Sequence, residues 1–328
     1  MMKEALFYEV VDNKIRCLLC PHRCLIKEDK KGICGRRINK EGKLYSIIYE
    51  ECSSLAMDPI EKKPLYHFYP GSRILSLGTT GCNFKCPFCQ NWHISQGEAP
   101  TNKIDSLQII SLAKEEGSIG LAYTYSEPLI WYEFVLETAE QAQKEGLKNV
   151  LVTNGYINRK PLLRLLPYLD ALSIDLKAFK DSFYKKYCGG SLTPVLKTIE
   201  TSKRSALVEL TTLIIPGLND SQEEIKALVQ WVSSQVGRDT PLHFSKYYPQ
   251  YKMDIPPTSV ETLKKARSIA LEKLDYVYIG NIMDIESNTT YCPACKKVII
   301  KRSGYRILEK KISHRRCTYC GFEINVVE

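Results

Sequence analysis

The sequence predicts an α/β fold: a parallel sheet, a barrel or part of one, carried between two small segments stapled by cysteines. Three observations predict it. From about residue 72 to residue 284, short β-branched or apolar runs alternate with amphipathic stretches, the pattern of a parallel sheet with right-handed crossovers. Eleven of the thirteen cysteines fall in three groups, 17/20/24/34, 82/86/89 and 292/295/317/320, with only Cys52 and Cys188 outside. The middle group follows the apolar run Ile74-Leu75-Ser76-Leu77, so it lies where such a strand ends and where ligands of barrel folds gather.

At 328 residues the chain can bury a full core and carry more than one domain. The expected organisation is a four-cysteine segment over 1–45, a connector over 46–71, the barrel over 72–284 and a zinc-ribbon or rubredoxin-like domain over 285–328. The first segment reads Cys17-x2-Cys20-x3-Cys24-x9-Cys34 with His22 among the cysteines. It is too small for a core of its own, so a metal staple is the natural way to hold it. Zinc is the first expectation, because four thiolates close a tetrahedral site. An iron–sulfur cluster is the alternative, since thiolates suit both metals, although the spacing departs from the ferredoxin run. The connector ends in Lys63-Pro64-Leu65-Tyr66-His67-Phe68-Tyr69-Pro70-Gly71. Its prolines and glycine bracket an aromatic cluster, which reads as an irregular segment packed on the next domain. Cys52 reads as a small buried residue.

Within the barrel, strands are expected over 74–77, 119–123, 150–152, 171–175, 207–213, 242–244 and 276–279. Helices are expected over 106–116, 129–145, 161–166, 192–202, 221–236 and 260–274. The first of these repeats apolar positions at intervals of three and four and stops at Gly117. Pro161 and the Asn219-Asp220-Ser221 cluster are expected helix starts. The last segment carries Cys292-x2-Cys295, a 21-residue spacer and Cys317-x2-Cys320. Two such knuckles gripping one tetrahedral ion are a zinc ribbon, and a mononuclear iron site uses the same ligands.

Composition places the chain among ordinary globular proteins, at 44% hydrophobic and 25% charged residues. No apolar run approaches the roughly 18 residues of a spanning helix. Acids stand where a signal peptide has its apolar stretch, so a cytoplasmic protein is expected, with no membrane partner. Cysteines grouped at two- and three-residue gaps in that compartment bind metals more often than they form disulfides. The net charge of +9 is uneven, and residues 285–328 alone carry +5. A basic tail suits nucleic acid or an acidic partner, but no aromatic stacking pattern accompanies it, so a solubilising surface is the favoured reading.

Cys82-x3-Cys86-x2-Cys89 carries the chemistry. Three thiolates this close can wrap a cubane iron–sulfur cluster, which normally takes four, and so leave one iron open. The alternative is a zinc staple short of one ligand. Glu127, in Tyr125-Ser126-Glu127-Pro128, can accept hydrogen bonds from an ammonium, or can simply begin a helix ahead of Pro128. Asp175 and Lys177 place opposite charges at one strand end, either for a ligand or as a rim ion pair. His243 beside Phe244 reads as a satisfied core residue or as one facing substrate. Gly189 and Gly190 after Cys188 let the backbone approach something closely.

These motifs resemble the radical S-adenosylmethionine (SAM) superfamily. The resemblance implies a partial (β/α)6 barrel with a 4Fe-4S cluster on Cys82, Cys86 and Cys89. SAM chelates the open iron and is cleaved reductively to a 5′-deoxyadenosyl radical, which abstracts hydrogen from a substrate. It implies Phe88 against the adenine. Tyr125-Ser126-Glu127-Pro128 resembles a Gly-Gly-Glu-Pro loop, with Tyr125 and Ser126 in place of the glycines. Val152-Thr153-Asn154-Gly155 and Ile174-Asp175-Leu176-Lys177 resemble segments lining the SAM pocket of glycyl-radical-enzyme activases. Ser126, Glu127, Asn154, Asp175 and Lys177 are therefore the implied cofactor contacts. Pro216-Gly217-Leu218-Asn219-Asp220 resembles a turn of the same enzymes and is assigned to adenosine. The whole chain, through Cys-Leu-Leu-Cys-Pro-His-Arg-Cys, Lys63-Pro64-Leu65-Tyr66-His67-Phe68, Cys-Pro-Phe-Cys-Gln-Asn-Trp, Tyr-Ser-Glu-Pro and the ribbon, resembles the radical SAM component of the AmmeMemoRadiSam system, akin to pyruvate formate-lyase activating enzymes. That implies Memo-like and Ammecr-like partners, together with an electron donor such as flavodoxin or ferredoxin. Two other readings stand beside it: an RNA-modifying radical SAM enzyme, and a non-enzymatic multi-zinc protein that contacts nucleic acid.

Overall fold

Seven apolar runs align as parallel strands of one sheet in the computed structural model, which describes residues 2–328. They are β1 (Arg73–Gly78), β2 (Gly120–Tyr123), β3 (Lys148–Thr153), β4 (Ala171–Asp175), β5 (Leu207–Ile214), β6 (Leu242–Lys246) and β7 (Val277–Gly280). Each pairs with the next in chain order, with Leu75 opposite Leu121, Val150 opposite Ala171, Leu172 opposite Val208, and Phe244 opposite Ile279. The six crossovers carry α1 (Ser106–Glu115), α2 (Tyr132–Lys144), α3 (Arg159–Leu165), α4 (Leu192–Ser202), α5 (Gln222–Trp231) and α6 (Val260–Leu271). Six β/α units followed by a last strand, with β7 at one edge of the sheet, make an open, partial barrel.

Local chemistry sets these boundaries. Asp105 and Gln108 close a capping box at α1, and Ser221 and Ser259 accept the Glu224 and Thr262 amides at the starts of α5 and α6. Pro161 lies in the first turn of α3, which begins two residues earlier than expected. All four residues of β2 are buried, as are four of the five in β4, because helices cover one face of the sheet and the barrel interior the other.

The connector is not irregular throughout. Ser54–Pro59 forms an eighth strand, antiparallel to β1 and at the far edge. Its sequence, Ser-Leu-Ala-Met-Asp-Pro, carries no β-branched residue, so pairing with β1 overrides weak strand propensity. An edge is also where a proline is tolerated.

The N-terminal segment forms two three-stranded antiparallel sheets. Its Phe7, Ile15, Leu19 and Leu44 join the barrel's own hydrophobic core. Fully buried Arg37 fixes it there through a bidentate bond to Glu133 on α2 at 3.1 and 2.7 Å.

The ribbon has a small core of its own, including Ile299, Ile300, Ile312 and Ile324, which Tyr66, Tyr276 and Tyr278 join to the barrel. The aromatic stretch expected to pack on its neighbour is this seam. His67 hydrogen-bonds the Asn325 carbonyl at 2.6 Å and the Tyr278 hydroxyl at 2.7 Å, while Arg302, fully buried, donates to the Tyr66 carbonyl at 2.7 Å and lies 3.6 Å from Glu61.

Candidate active site

The loops after the parallel strands open on one cavity of about 910 Å³, at the upper end of the range for small-molecule sites. Cys82, Cys86 and Cys89 line it from the loop after β1, Ser126 and Glu127 from the loop after β2, Asn154 from the end of β3, and Asp175 and Lys177 from the end of β4. Thr211 on β5, His243 on β6 and Ile279 on β7 complete the ring, and Gly304 and Tyr305 of the ribbon reach its rim. The topology therefore brings the cysteine loop and the predicted residues Ser126, Glu127, Asn154, Asp175 and Lys177 together.

The cysteine loop is held by backbone and side-chain contacts on both sides. Cys82 Sγ accepts the Phe84 amide at 3.3 Å and lies 3.7 Å from Asn154 Nδ2, which also donates to Asn83 at 2.8 Å. Cys89 Sγ lies 3.1 Å from Ser95 Oγ, and Asn91 donates to the Tyr125 carbonyl at 2.7 Å. Burial pushes the Cys82 and Cys89 thiols up, and for Cys86 the neighbouring Cys188 thiol has the larger effect and burial adds to it. Thiols so placed ionise on binding a metal rather than in the free protein. Cys188 is thus a fourth thiol in contact with the loop. The Lys85 amide donates to its carbonyl at 2.8 Å, and a Cβ on Gly190 would meet Phe84 at 2.5 Å. The close approach expected of the two glycines is to this loop.

Glu127 is buried and accepts three hydrogen bonds, from the Leu129 amide at 3.0 Å, Thr153 Oγ1 at 2.7 Å and the Asn154 amide at 2.8 Å. A carboxylate offers about four acceptor sites, so one remains for a ligand N–H. Burial pushes this carboxyl up to about 7. The helix-start reading holds, with Glu127 as the N-cap before Pro128, and the same carboxyl lines the cavity. Asp175 and Lys177 pair at 2.9 Å. Burial opposes the Lys177 charge, yet Asp175 and the nearby thiols hold it well above the ordinary lysine range. Phe88 is buried against Phe183, with centroids 5.9 Å apart, and lines the cavity.

Two residues stand where the resembling loop has glycines, and one of them adopts a glycine's backbone. Tyr125 has φ of 70°, the left-handed region that non-glycine residues rarely enter. Its hydroxyl donates to Asp58 at 2.6 Å, and Lys63, itself paired with Asp58 at 2.6 Å, sits 4.8 Å above its ring. Asp58 and Lys63, which hold Tyr125 at the cavity, are missed by sequence reasoning because their partner lies more than sixty residues away.

The Pro216–Asp220 turn corrects an expectation. Asn219 lies behind the cavity and not in its wall, donating to the carbonyls of Lys177 at 2.8 Å and Leu213 at 2.9 Å. It braces Lys177. His243 is satisfied and also lines the cavity: its Nε2 donates to buried Glu209 at 2.7 Å.

The C-terminal cysteines converge, with Cys292–Cys320 sulfurs 3.6 Å apart and Cys295–Cys317 sulfurs 3.8 Å apart. Four metal–sulfur bonds of about 2.3 Å in a tetrahedron set sulfurs about 3.8 Å apart, so this site fits one ion. Among the described residues no other group brings three ligand atoms within 4.8 Å of one another. Cys82, Cys86 and Cys89 therefore stand wider than a single ion requires.

Three cysteines opening on a cavity of mixed polar and apolar lining at the strand ends, together with the match below, mark an enzyme of the radical SAM class. The family model of the radical SAM superfamily matches residues 76–232, so the chain carries a radical SAM domain. It is 45% identical over 335 residues to an uncharacterized protein of Methanocaldococcus jannaschii, covering 99% of this chain and 100% of that one. It is 24% identical to the pyruvate formate-lyase 1-activating enzyme of Escherichia coli K12, over 61% of this chain and 89% of that enzyme. Among solved structures, a radical SAM methyltransferase from Sphaerobacter thermophilus shares the fold, with a TM-score of 0.51 at 15% identity over 74% of this chain and 75% of that one. The superfamily implies SAM and a 4Fe-4S cluster, and the residues fit both. The loop thiols are spaced beyond a single ion, and the buried hydroxyls of Ser126 and Thr211 face the cavity without a partner. No helix among the described residues is long and apolar enough to cross a membrane.

Proposed function

We propose that the enzyme binds a 4Fe-4S cluster through Cys82, Cys86 and Cys89, cleaves SAM there, and takes a hydrogen atom from an organic substrate held in the same cavity. The observation that carries this reading is the three-thiol loop at the strand ends, wider than a single-ion site and open to a cavity of about 910 Å³. When bound, the cluster and SAM supply one-electron cleavage to methionine and a 5′-deoxyadenosyl radical. The chain supplies the rest. Glu127 offers its remaining acceptor site to the amino group of SAM, Lys177 a cation to its carboxylate, and Asp175 an acceptor to its ribose. Phe88 packs against the adenine, and Ser126 and Asn154 line the same wall. The β5–β7 side, with His243 fixed by Glu209, faces the substrate. Barrel and ribbon together screen the cavity from bulk water, which a reactive radical requires. The electron comes from a flavodoxin- or ferredoxin-like donor in the cytoplasm. Memo-like and Ammecr-like proteins remain partners for which the sequence resemblance is the support. The test is spectroscopic: the reduced, anaerobic protein should show a 4Fe-4S signal that changes on adding SAM. A signal that persists in Cys82→Ala/Cys86→Ala/Cys89→Ala with the same response to SAM would refute the assignment.

A further inference from the structure

Four thiols of the N-terminal segment take no part in the chemistry above. A single tetrahedral ion sets its thiolates about 3.8 Å apart, and the ribbon cysteines show that spacing. Cys17, Cys20, Cys24 and Cys34 do not. Among the described residues no three of them lie within 4.8 Å of one another, as is also true of Cys82, Cys86 and Cys89. The fold nonetheless draws them together: the Cys17 amide donates to the Cys24 carbonyl at 3.0 Å. The Ile33 amide donates to Cys24 Sγ at 3.4 Å, and a Cβ on Gly32 would sit 3.5 Å from the same sulfur. Thiols too wide for one ion but drawn together by the fold suit a polynuclear cluster.

A second observation points the same way. Arg37 is 1% exposed, spends two nitrogens on Glu133 and leaves Nε buried without a partner. Arg37 lies against the cysteine segment, its carbonyl accepting the Gly32 amide at 2.9 Å. A buried N–H donor that Glu133 does not use is suited to an acceptor atom of a bound group, such as a cluster sulfur.

The third observation is place. His22 Nε2–H donates to the carbonyl of Asn83 at 2.8 Å, and Asn83 is the residue after Cys82. Asn158, just beyond β3, clamps the same segment by donating to the carbonyls of Leu19 at 3.0 Å and Leu18 at 2.7 Å. Tyr156 fills the gap between, with its ring 5.1 Å from His22 and 4.9 Å from Phe84.

We propose that Cys17, Cys20, Cys24 and Cys34 hold a second iron–sulfur cluster, which hands electrons to the Cys82–Cys89 cluster across the His22–Asn83 hydrogen bond. The relay rests on the radical SAM reading; the second cluster does not. A flavodoxin- or ferredoxin-class donor is oxidised by one electron, the N-terminal cluster takes and releases that electron, and the loop cluster is reduced. No atom is transferred.

The test uses the full chain reconstituted anaerobically with iron and sulfide. Wild type should hold about eight acid-labile sulfides per chain, and Cys82→Ala/Cys86→Ala/Cys89→Ala should keep about four with a reducible paramagnetic signal. Adding Cys24→Ala and Cys34→Ala should remove these. About four sulfides in wild type and none in the triple variant, with an extra tightly bound zinc, would overturn the proposal. For the relay, His22→Ala should retain both clusters while reduction of the loop cluster by flavodoxin slows about tenfold. An unchanged rate overturns the relay. If the sulfide persists but SAM perturbs neither cluster, the radical reading fails and the second cluster stands.

Discussion

Asp58→Ala removes the counter-ion of a buried lysine, and its cost can be worked out from the contacts. The Lys63 side chain is 2% exposed and its ammonium meets Asp58 at 2.6 Å. Removing one partner of such a pair costs about 3–5 kcal/mol, because the remaining charge is stranded away from water. Lys62, at 46% exposure, turns to solvent and adds little. The lost 2.6 Å bond from Tyr125 adds about 1 kcal/mol. The expected loss is therefore about 4–6 kcal/mol, read as a large shift in the urea midpoint at pH 7. With the brace gone, Tyr125 is free to leave φ of 70°, a conformation costing about 1–3 kcal/mol. SAM affinity should fall about tenfold as the binding loop relaxes. Asp58→Leu/Lys63→Met, which leaves no stranded charge, should recover most of the stability. The pH dependence has a definite sign. Burial alone would raise the Asp58 carboxyl, but Lys63, Tyr125 and Lys62 outweigh it and hold the group well below its ordinary 3.8. The stabilisation is present above about pH 4 and is lost as pH falls further, a loss Asp58→Ala should lack. A cost below about 1 kcal/mol, or a double variant no better than the single one, would refute this reasoning.

Three further predictions concern the same scaffold. Gly78→Ala places a Cβ 2.7 Å from the Thr124 carbonyl and 3.1 Å from Tyr125. It should cost about 1–3 kcal/mol and weaken SAM binding in a titration, while iron and sulfide content stay unchanged. Glu127→Gln turns an amide N–H2 toward a backbone N–H that Glu127 now accepts, costing about 1–3 kcal/mol. Because burial raises the Glu127 carboxyl to about 7 from 4.5, wild type should lose stability as pH rises between those values, by up to about 1.4 kcal/mol per pH unit. The glutamine variant should lack that slope. Arg302→Met strands Glu61 in the seam between barrel and ribbon; a loss of about 3–5 kcal/mol should show in denaturation and in faster proteolysis of residues 285–328.

The alternation of apolar runs and amphipathic helices made the barrel legible, and all seven parallel strands lie at the expected runs. Strand-end placement then gathered Cys82, Glu127, Asn154, Asp175 and Lys177 without any side-chain information, because in such folds that end is the ligand end. What the sequence hid depends on long-range contacts. The edge strand Ser54–Pro59 has weak propensity and exists by pairing with β1. The left-handed Tyr125 depends on Asp58, 67 residues earlier. Asn219 reads as a turn residue and acts as a brace for Lys177. Cysteine spacing along the chain separated the three groups but not their metals, since a ligand pattern fixes loop length and not the distance between sulfurs. That distance distinguishes the ribbon from the other two.

The most direct test of the radical reading is product analysis of the anaerobic, reconstituted enzyme given SAM and a low-potential reductant. Methionine and 5′-deoxyadenosine should form in equal amounts, and Cys86→Ala, Cys82→Ala or Cys89→Ala should abolish both. Undiminished 5′-deoxyadenosine from Cys86→Ala, or none from a wild-type protein carrying its full iron and sulfide, would contradict it.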